Sequence, residues 1–303
     1  MGTGQAAETA APSLSDIQVT AREHAAQTAH WPITRVGLVG RGIAKSRTPA
    51  MHIAEGGAHG LDYRYELLDP DSMRDAPTLS TLLEQAEREG FAGLNITFPF
   101  KRDVIDLLDE LSPAAQKVGA VNTVVFKDGR RYGHNTDFWG FAESLRLGLP
   151  EAFKESVLLL GAGGAGGAVA HALRHLGVRH VMVYDLDLEA AQALADEVGG
   201  EAVRSLLSAA RTADGIVNAT PMGMAKLPGM AIDPAHIEAR HWVTDIVYFP
   251  RETKLLATAR AKGCRVLDGS GMAVFQAVRA FELFSGCRPD ALRMRATFET
   301  LND

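Results

Sequence analysis

The sequence predicts an α/β protein of two successive parts, and three observations carry that prediction. Short apolar runs punctuated by glycine alternate with amphipathic helical stretches from Thr34 to Leu267. The run Ser156-Val-Leu-Leu-Leu-Gly-Ala-Gly-Gly-Ala-Gly passes from a buried strand directly into a glycine turn. Near the end of the first part, Asp128-Gly129 joins two strand-like runs as a hairpin. A chain of 303 residues, 46% hydrophobic and 22% charged, is long enough for two cores.

Residues 1–30 are rich in Ala, Thr, Gln and Glu and read as a mobile extension, with a helix over Ser15 to Thr28. Thr34 to Gly40 reads as a buried strand. Pro49 suits the first turn of a helix to His59, with Ser46 and Thr48 before it. Asp62 to Leu68 alternates as a strand, Thr78 to Glu89 reads as a helix stopped by Gly90, and Phe91 to Ile96 as the next strand. The following segment, Asn95-Ile-Thr-Phe-Pro-Phe-Lys, predicts a helix burying Val104, Ile105, Leu107 and Leu108. It sets Asn95, Thr97 and Lys101 around the carboxyl end of a strand, where open α/β sheets bind ligands. After the hairpin, Asp137 starts a helix.

From Ser156 onward, strands are expected at 156–160, 180–184, 201–203, 214–218, 242–247 and 264–267. Gly161, Gly163 and Gly166 have the G-x-G-x-x-G spacing, with Gly164 and Ala165 completing the turn. A helical run through Val169, Leu173 and Leu176 follows, stopped by Gly177, and the next strand ends at Asp185. Strand, glycine turn, helix and terminal acid make the unit that receives a dinucleotide's pyrophosphate on a helix N-terminus, so this half reads as a doubly wound Rossmann domain. An acid at Asp185 accepts hydrogen bonds from a free ribose 2′-hydroxyl and repels a 2′-phosphate. Asp187 adds to the repulsion, and no Arg or Lys stands at positions 184–190, which selects NAD over NADP.

The expected division is therefore a substrate-binding part at 31–135, joined by C-terminal helices within 271–303, and a dinucleotide part at 136–270. An excess of 37 acids over 31 bases, net −6, argues against a nucleic-acid or membrane-surface partner. Two cysteines, Cys264 and Cys287, give no disulfide framework, and no run is apolar enough to span a membrane, so a cytoplasmic monomer or homodimer is expected.

Lys101 and Asp137 lie at element junctions beside short polar residues. Such a couple can take a proton from a secondary alcohol as hydride leaves its carbon. Spacing alone leaves another reading open, in which Asp137 is a helix N-cap and Lys101 a solvated charge.

From Val36 to about Phe284 the chain resembles the shikimate dehydrogenase family, most closely its quinate/shikimate dehydrogenase branch. The matching segments are Ser46-Arg-Thr-Pro-Ala-Met-His, Leu94-Asn-Ile-Thr-Phe-Pro-Phe-Lys, Gly119-Ala-Val-Asn-Thr, Gly133-His-Asn-Thr-Asp, Gly161-Ala-Gly-Gly-Ala, Asn218-Ala-Thr-Pro-Met-Gly-Met, Asp245-Ile-Val-Tyr-Phe-Pro and Asp268-Gly-Ser-Gly-Met with Gln276. The resemblance implies that Lys101 is the acid/base and Asp137 its partner. It implies that Ser46 and Thr48 hold a substrate carboxylate, and that Asn95, Thr97, Asn122, Tyr248 and Gln276 reach ring hydroxyls. Thr220, Met222, Val247, Gly269 and Met272 would line the nicotinamide side. The implied substrate is a small polyhydroxylated carboxylic acid, interconverted between quinate and 3-dehydroquinate or shikimate and 3-dehydroshikimate. Two departures sharpen this. Ser46-Arg47-Thr48 replaces the commoner Ser-x-Ser, a version associated with acceptance of quinate, and Asp185-Leu186-Asp187 replaces the basic cluster of NADP enzymes.

Two alternatives stay in view: a shikimate-only or aminoshikimate dehydrogenase, and a catalytically silent NAD-binding sensor, against which the joint presence of Lys101 and Asp137 counts. No metal is implied: His171 and His175 are four apart on a helix without the Glu of H-E-x-x-H. His52 and His134 read as structural histidines, Met224 and Met230 as gap fillers, and Arg47 as either carboxylate-facing or solvated.

Overall fold

The structure, a computed structural model, describes residues 33–152 and 155–301. The expected extension and the helix at Ser15 to Thr28 lie outside the described residues.

The first sheet has the order β2-β1-β3-β5-β6-β4. Strand β1 (Thr34–Val39) runs parallel to β2 (Tyr63–Leu68) and to β3 (Phe91–Ile96), each return made through a helix, α1 (Thr48–Ala58) and α2 (Leu79–Arg88). The α2 helix begins where the Thr78 hydroxyl accepts the Thr81 N–H at 3.2 Å, satisfying one of the amides that a helix start leaves free. Beyond β3 come β4 (Glu110–Leu111) and α3 (Pro113–Val118), and then the antiparallel hairpin of β5 (Thr123–Lys127) and β6 (Arg130–His134). Asp128 and Gly129 both have positive φ, 53° and 70°, the turn that matches strand twist in a two-residue hairpin.

The expected helix through Val104 and Leu108 is instead a 3-10 segment, Asp103–Leu107, in which only Val104 is buried. Three residues per turn do not bring Val104, Ile105, Leu107 and Leu108 onto one face. Ser46 Oγ accepts the Thr48 N–H at 3.4 Å from one residue outside the cap position of α1, and Thr48 is not its cap. Arg47 holds the cap position with no side-chain cap bond, and Thr48 is already the first helical residue.

Helix α4 (Thr136–Gly148) crosses to the second sheet, whose six parallel strands have the order β12-β11-β10-β7-β8-β9. These are β7 (Ser156–Leu160), β8 (His180–Tyr184), β9 (Glu201–Ala202), β10 (Gly215–Asn218), β11 (Trp242–Asp245) and β12 (Arg265–Leu267). The connecting helices are α5 (Gly164–His175), α6 (Leu188–Val198), α7 (Leu206–Thr212) and α8 (Lys254–Ala261). Read from the centre, the order is that of a doubly wound dinucleotide fold, with the direction of winding reversing between β7 and β10. Both faces are dry. Val157, Leu159, Val169 and Leu173 pack with Phe141 on one, and Leu158, Ile216, Val243 and Leu256 on the other. A parallel sheet covered on both faces needs continuous apolar strands, which is why these runs show no alternation.

The chain then returns. Helices α9 (Ser270–Ser285) and α10 (Ala291–Thr300) place Phe281, Phe284, Met294 and Phe298 against Val36, Leu38, Tyr63 and Tyr65 of the first sheet. The two halves share the α4/α9 helix pair. A Cβ on Gly140 would come within 2.8 Å of both the Met272 carbonyl and the Gln276 amide, so only glycine permits this approach.

Helix α10 is anchored by charge as well as by packing. The Glu55 carboxylate, on α1 and fully buried, accepts two bonds from the Arg293 guanidinium at 2.7 and 2.9 Å, the Asp290 N–H at 2.7 Å and His59 at 3.0 Å. Burial alone would push its pKa up, but the bonds from Arg293 and Asp290 outweigh that and hold it below the ordinary carboxylate value. A depressed folded-state pKa contributes stability above the unfolded-state pKa, lost as pH falls through the folded value. Arg293→Met should therefore lower Tm at pH 7 by several degrees. In thermal melts the deficit should narrow as pH drops through the carboxylate range; a pH-independent deficit would assign the loss to packing.

Candidate active site

Candidate residues gather at the N-terminus of α4, where the segment after β3 and the loop after β11 come within electrostatic reach of each other. On the first sheet, β3 ends at Ile96, and Thr97 to Phe100 form a turn in which the Thr97 N–H donates to the Val39 carbonyl at 2.9 Å. Lys101 follows, its own carbonyl accepting the Val121 N–H at 2.8 Å, so the backbone at Lys101 is tied to the strand that leads into the hairpin. The Lys101 Nζ donates to Asp137 Oδ2 at 2.6 Å, with both side chains largely shielded from solvent.

The reading of Asp137 as an N-cap does not hold. Asn135 is the cap of α4, its Oδ1 accepting the Phe138 N–H at 3.0 Å while its Nδ2 donates to the Ala120 carbonyl at 3.0 Å. Asp137 sits in the first helical turn with its carboxylate directed to Lys101. It also gains from the positive end of the helix dipole.

Asn95 and Asn122 are both 4% exposed and lie within a buried polar cluster with Tyr65, Thr123 and Thr136. Ser46 and Thr48 flank Arg47, whose guanidinium lies over Phe298 at 5.0 Å and over Phe249 at 6.0 Å from the ring centroids. Tyr248 meets Phe298 edge-on at 6.0 Å. Desolvation raises the pKa of its hydroxyl, and Arg47, Lys101 and Asp137 all lie within its electrostatic reach. Phe298, buried on α10, thus gathers the turn carrying Ser46 and Thr48 and the loop carrying Tyr248 beside the Lys101–Asp137 pair. The sequence reading did not include Phe298, because nothing local links a C-terminal aromatic to these loops. Gln276, on α9, turns its Nε2 back to the Ala273 carbonyl at 3.0 Å.

On the second sheet, the turn after β7 has the expected geometry. Gly161 has φ of +103°, and a Cβ on Gly166 would lie 2.1 Å from the Gly161 carbonyl oxygen, so the turn closes only with glycine there. Cβ atoms on Gly163 and Gly164 would meet nothing within 4 Å. Helix α5 starts at this open edge, and no side chain caps it. Asp185 Oδ2 accepts the Ala162 N–H at 2.7 Å and its Oδ1 accepts the Asp187 N–H at 2.9 Å, so each oxygen keeps a lone pair for a ligand. Asp187 is the N-cap of α6.

Two loops border this turn, and one buried carboxylate holds both. Asp245 Oδ1 accepts from Asn218 Nδ2 at 2.9 Å and from the Val247 N–H at 3.0 Å, while Oδ2 accepts the Thr253 hydroxyl at 2.7 Å. Asn218 in turn accepts from the Thr220 hydroxyl at 2.6 Å and donates to the Met222 carbonyl at 3.0 Å. Burial raises the Asp245 pKa against the pull of those bonds. The clasp fixes Thr220, Met222 and Val247; Gly269 lies against the Ile246 backbone, and Met272 is buried in the second-sheet core. Asn218 and Asp245 were readable as polar ends of apolar parallel strands, the one local signal that they face something other than core.

His52 is fully buried, bonded through Nδ1 to the Tyr63 hydroxyl at 3.0 Å, and burial lowers its pKa to about 3. Burial lowers His134 and His171 as well, and His175 packs against Phe138 at 5.4 Å. Among the described residues no helix is long and apolar enough to cross a membrane.

Residues 38–124 match the shikimate dehydrogenase substrate binding domain, 146–242 the shikimate/quinate 5-dehydrogenase family and 269–297 the shikimate 5′-dehydrogenase C-terminal domain. A quinate/shikimate dehydrogenase (NAD(+)) of Corynebacterium efficiens is 52% identical over 88% of this chain and 98% of its own length. A shikimate dehydrogenase (NADP(+)) of Streptomyces avermitilis is also 52% identical, over 88% of this chain and 95% of its own. The solved structure of quinate dehydrogenase from Corynebacterium glutamicum in complex with NAD superimposes with a TM-score of 0.85 at 50% identity, covering 89% of this chain and 99% of that one. With the paired Lys101 and Asp137, the glycine turn and these relatives together, the chain belongs to the shikimate dehydrogenase family, in its quinate/shikimate branch.

Proposed function

We propose that the protein is a NAD-dependent quinate/shikimate dehydrogenase, interconverting quinate with 3-dehydroquinate and shikimate with 3-dehydroshikimate. The Lys101–Asp137 contact at 2.6 Å carries the reading, because it supports a proton donor paired with its counter-charge between the segment after β3 and the first turn of α4. Residues 31–135 with 271–303 form the substrate-binding part and 136–270 the dinucleotide part.

Ser46 and Thr48 hold the substrate carboxylate, and Asn95, Thr97, Asn122, Tyr248 and Gln276 bind ring hydroxyls, each buried oxygen of the ring requiring a partner. In oxidation, the Lys101–Asp137 pair takes the hydroxyl proton. In reduction, Lys101 Nζ donates it to the oxygen on which charge develops and is left as the amine, and Asp137 holds Nζ in place in both forms. NAD, when bound, accepts or returns the hydride. The residues present fit it: Gly161, Gly163, Gly164, Ala165 and Gly166 form an open cradle for a pyrophosphate, and Asp185 keeps acceptors for ribose hydroxyls. Thr220, Met222, Val247, Gly269 and Met272 shape the nicotinamide side. Relatives of equal identity are named for NAD and for NADP, so overall similarity does not set the cofactor. Asp185 does, by excluding a 2′-phosphate. The enzyme works on a small polyhydroxylated acid in the cytoplasm, as a monomer or homodimer, with neither nucleic acid nor membrane as partner.

The test follows reduced-cofactor absorbance with quinate and with shikimate, each with NAD and with NADP. Turnover of both acids with NAD is expected, at least about tenfold better in kcat/KM than with NADP. Asp185→Ser should narrow that ratio by weakening NAD. Turnover of shikimate alone with NADP would overturn the specific reading, and no turnover with any pair would overturn the enzyme.

A further inference from the structure

The amide orientations of Asn95 and Asn122 are dictated by backbone groups that can act in one way only. The Asn122 carbonyl can only accept, and an Asn95 amide atom lies 3.3 Å from it, so that atom is Nδ2. The Thr136 N–H can only donate, and an Asn122 amide atom lies 2.7 Å from it, so that atom is Oδ1.

The rest of the cluster then follows by counting donors and acceptors. Asn95 Nδ2 spends its two hydrogens on the Asn122 carbonyl and on Thr123 Oγ1 at 3.0 Å, while its Oδ1 accepts the Tyr65 hydroxyl at 2.8 Å. It retains only a lone pair. Asn122 Oδ1 is filled by the Thr136 N–H and by the Thr123 hydroxyl at 3.2 Å, with the Thr136 hydroxyl at the same distance. Asn122 Nδ2 gives one hydrogen to Thr136 Oγ1 at 2.9 Å and retains the other. Thr123 is fully buried and joins the two amides, accepting from one and donating to the other.

We propose that Asn95 and Asn122 present a pair of fixed polarity, Asn95 only accepting and Asn122 only donating, which selects adjacent ring hydroxyls. Thr123, supported by Tyr65 and Thr136, is the residue that positions it. The proposal rests on assigning the two asparagines to the substrate ring and adds which hydrogen-bonding role each can take there. A hydroxyl can satisfy either residue, donating to Asn95 or accepting from Asn122. A ring carbon lacking its hydroxyl leaves one buried amide atom unpaired, and such sites discriminate strongly against the deoxy analogue.

Thr123→Val keeps the shape but frees a hydrogen on Asn95, so Asn95 no longer only accepts and the polarity is lost, while Asn122 Oδ1 keeps the Thr136 N–H and hydroxyl. KM for quinate and shikimate should rise about tenfold, the equivalent of one hydrogen bond, with kcat changed less than about threefold. The NAD dissociation constant, read by fluorescence, should stay near wild type, Tm should fall by a few degrees because a buried amide loses its partner, and Thr123→Ser should restore both KM and Tm. The wild type should use a shikimate analogue lacking the hydroxyl beside the oxidised carbon at least about tenfold less well than shikimate, a penalty that Thr123→Val should shrink. An unchanged KM in Thr123→Val, no rescue by serine, NAD affinity falling in step with KM, or an undiminished deoxy penalty would each overturn the proposal. If the wild type turns over neither acid, the functional reading fails separately, and calorimetric binding of quinate and shikimate decides the polarity. Binding weakened about tenfold in Thr123→Val would support it, and no binding to the wild type would overturn it.

Discussion

Replacing Lys101 by alanine is expected to lower kcat for quinate and shikimate oxidation by about 10²- to 10⁴-fold, the range for loss of a positioned acid/base and about 3–5 kcal/mol of barrier. The cause is local. Lys101 Nζ lies 2.6 Å from Asp137, and no other lysine contacts Asp137 among the described residues. Alanine also leaves Asp137 as a shielded carboxylate without its counter-charge, so part of the loss comes from stranding the partner. NAD affinity should hardly move, because Asp185 and the glycine turn lie on the other sheet. Asp137→Asn keeps a hydrogen-bond acceptor for Lys101 and should cost less than Lys101→Ala. Rates and cofactor binding measured on both variants check this. Equal weakening of kcat and of NAD binding in Lys101→Ala would mean the pair holds the fold together rather than moving a proton.

The glycine turn gives the second large effect, and it separates two neighbouring glycines. Gly166→Ala would put a methyl group 2.1 Å from the Gly161 carbonyl oxygen, a backbone atom that cannot step aside without reshaping the turn. Tm should fall and KM for NAD should rise at least about tenfold. Gly163→Ala is different, because its Cβ would meet no protein atom within 4 Å and its φ of −73° suits any residue. Its Tm should match wild type while KM for NAD still rises, because the added methyl occupies the edge where a pyrophosphate would lie. A Gly163→Ala enzyme with normal NAD affinity would place the cofactor elsewhere.

Legibility in the sequence followed the range of the interactions. The second sheet was readable because β7 and β8 carry the apolar runs Val157 to Leu160 and Val181 to Tyr184, and β10 and β11 the shorter pairs Ile216-Val217 and Trp242-Val243. Parallel strands buried on both faces have no other way to be built. The hairpin was equally legible, since Asp128 and Gly129 carry the required positive φ values. The segment after Lys101 was misread because apolar residues spaced for an α-helix also fit a 3-10 turn that buries only Val104. At the site, residue types were legible and pairings were not. Asn135 and Asp137 are both competent caps two positions apart, and only the place of Lys101 in space separates the cap from the ion pair. Tyr65 and Phe298 left no local mark, because their partners lie tens to hundreds of residues away.

The Asp245 clasp has a consequence for anyone altering cofactor or substrate preference in this chain. One carboxylate receives bonds from Asn218 and from the Val247 amide, so the loop through Thr220 and Met222 shares its foundation with the loop through Val247 and Tyr248. Substitutions in the two loops will therefore show epistasis, even where the changed side chains never touch. Each loop optimised alone will give a poor forecast of the combination, and libraries should vary both together.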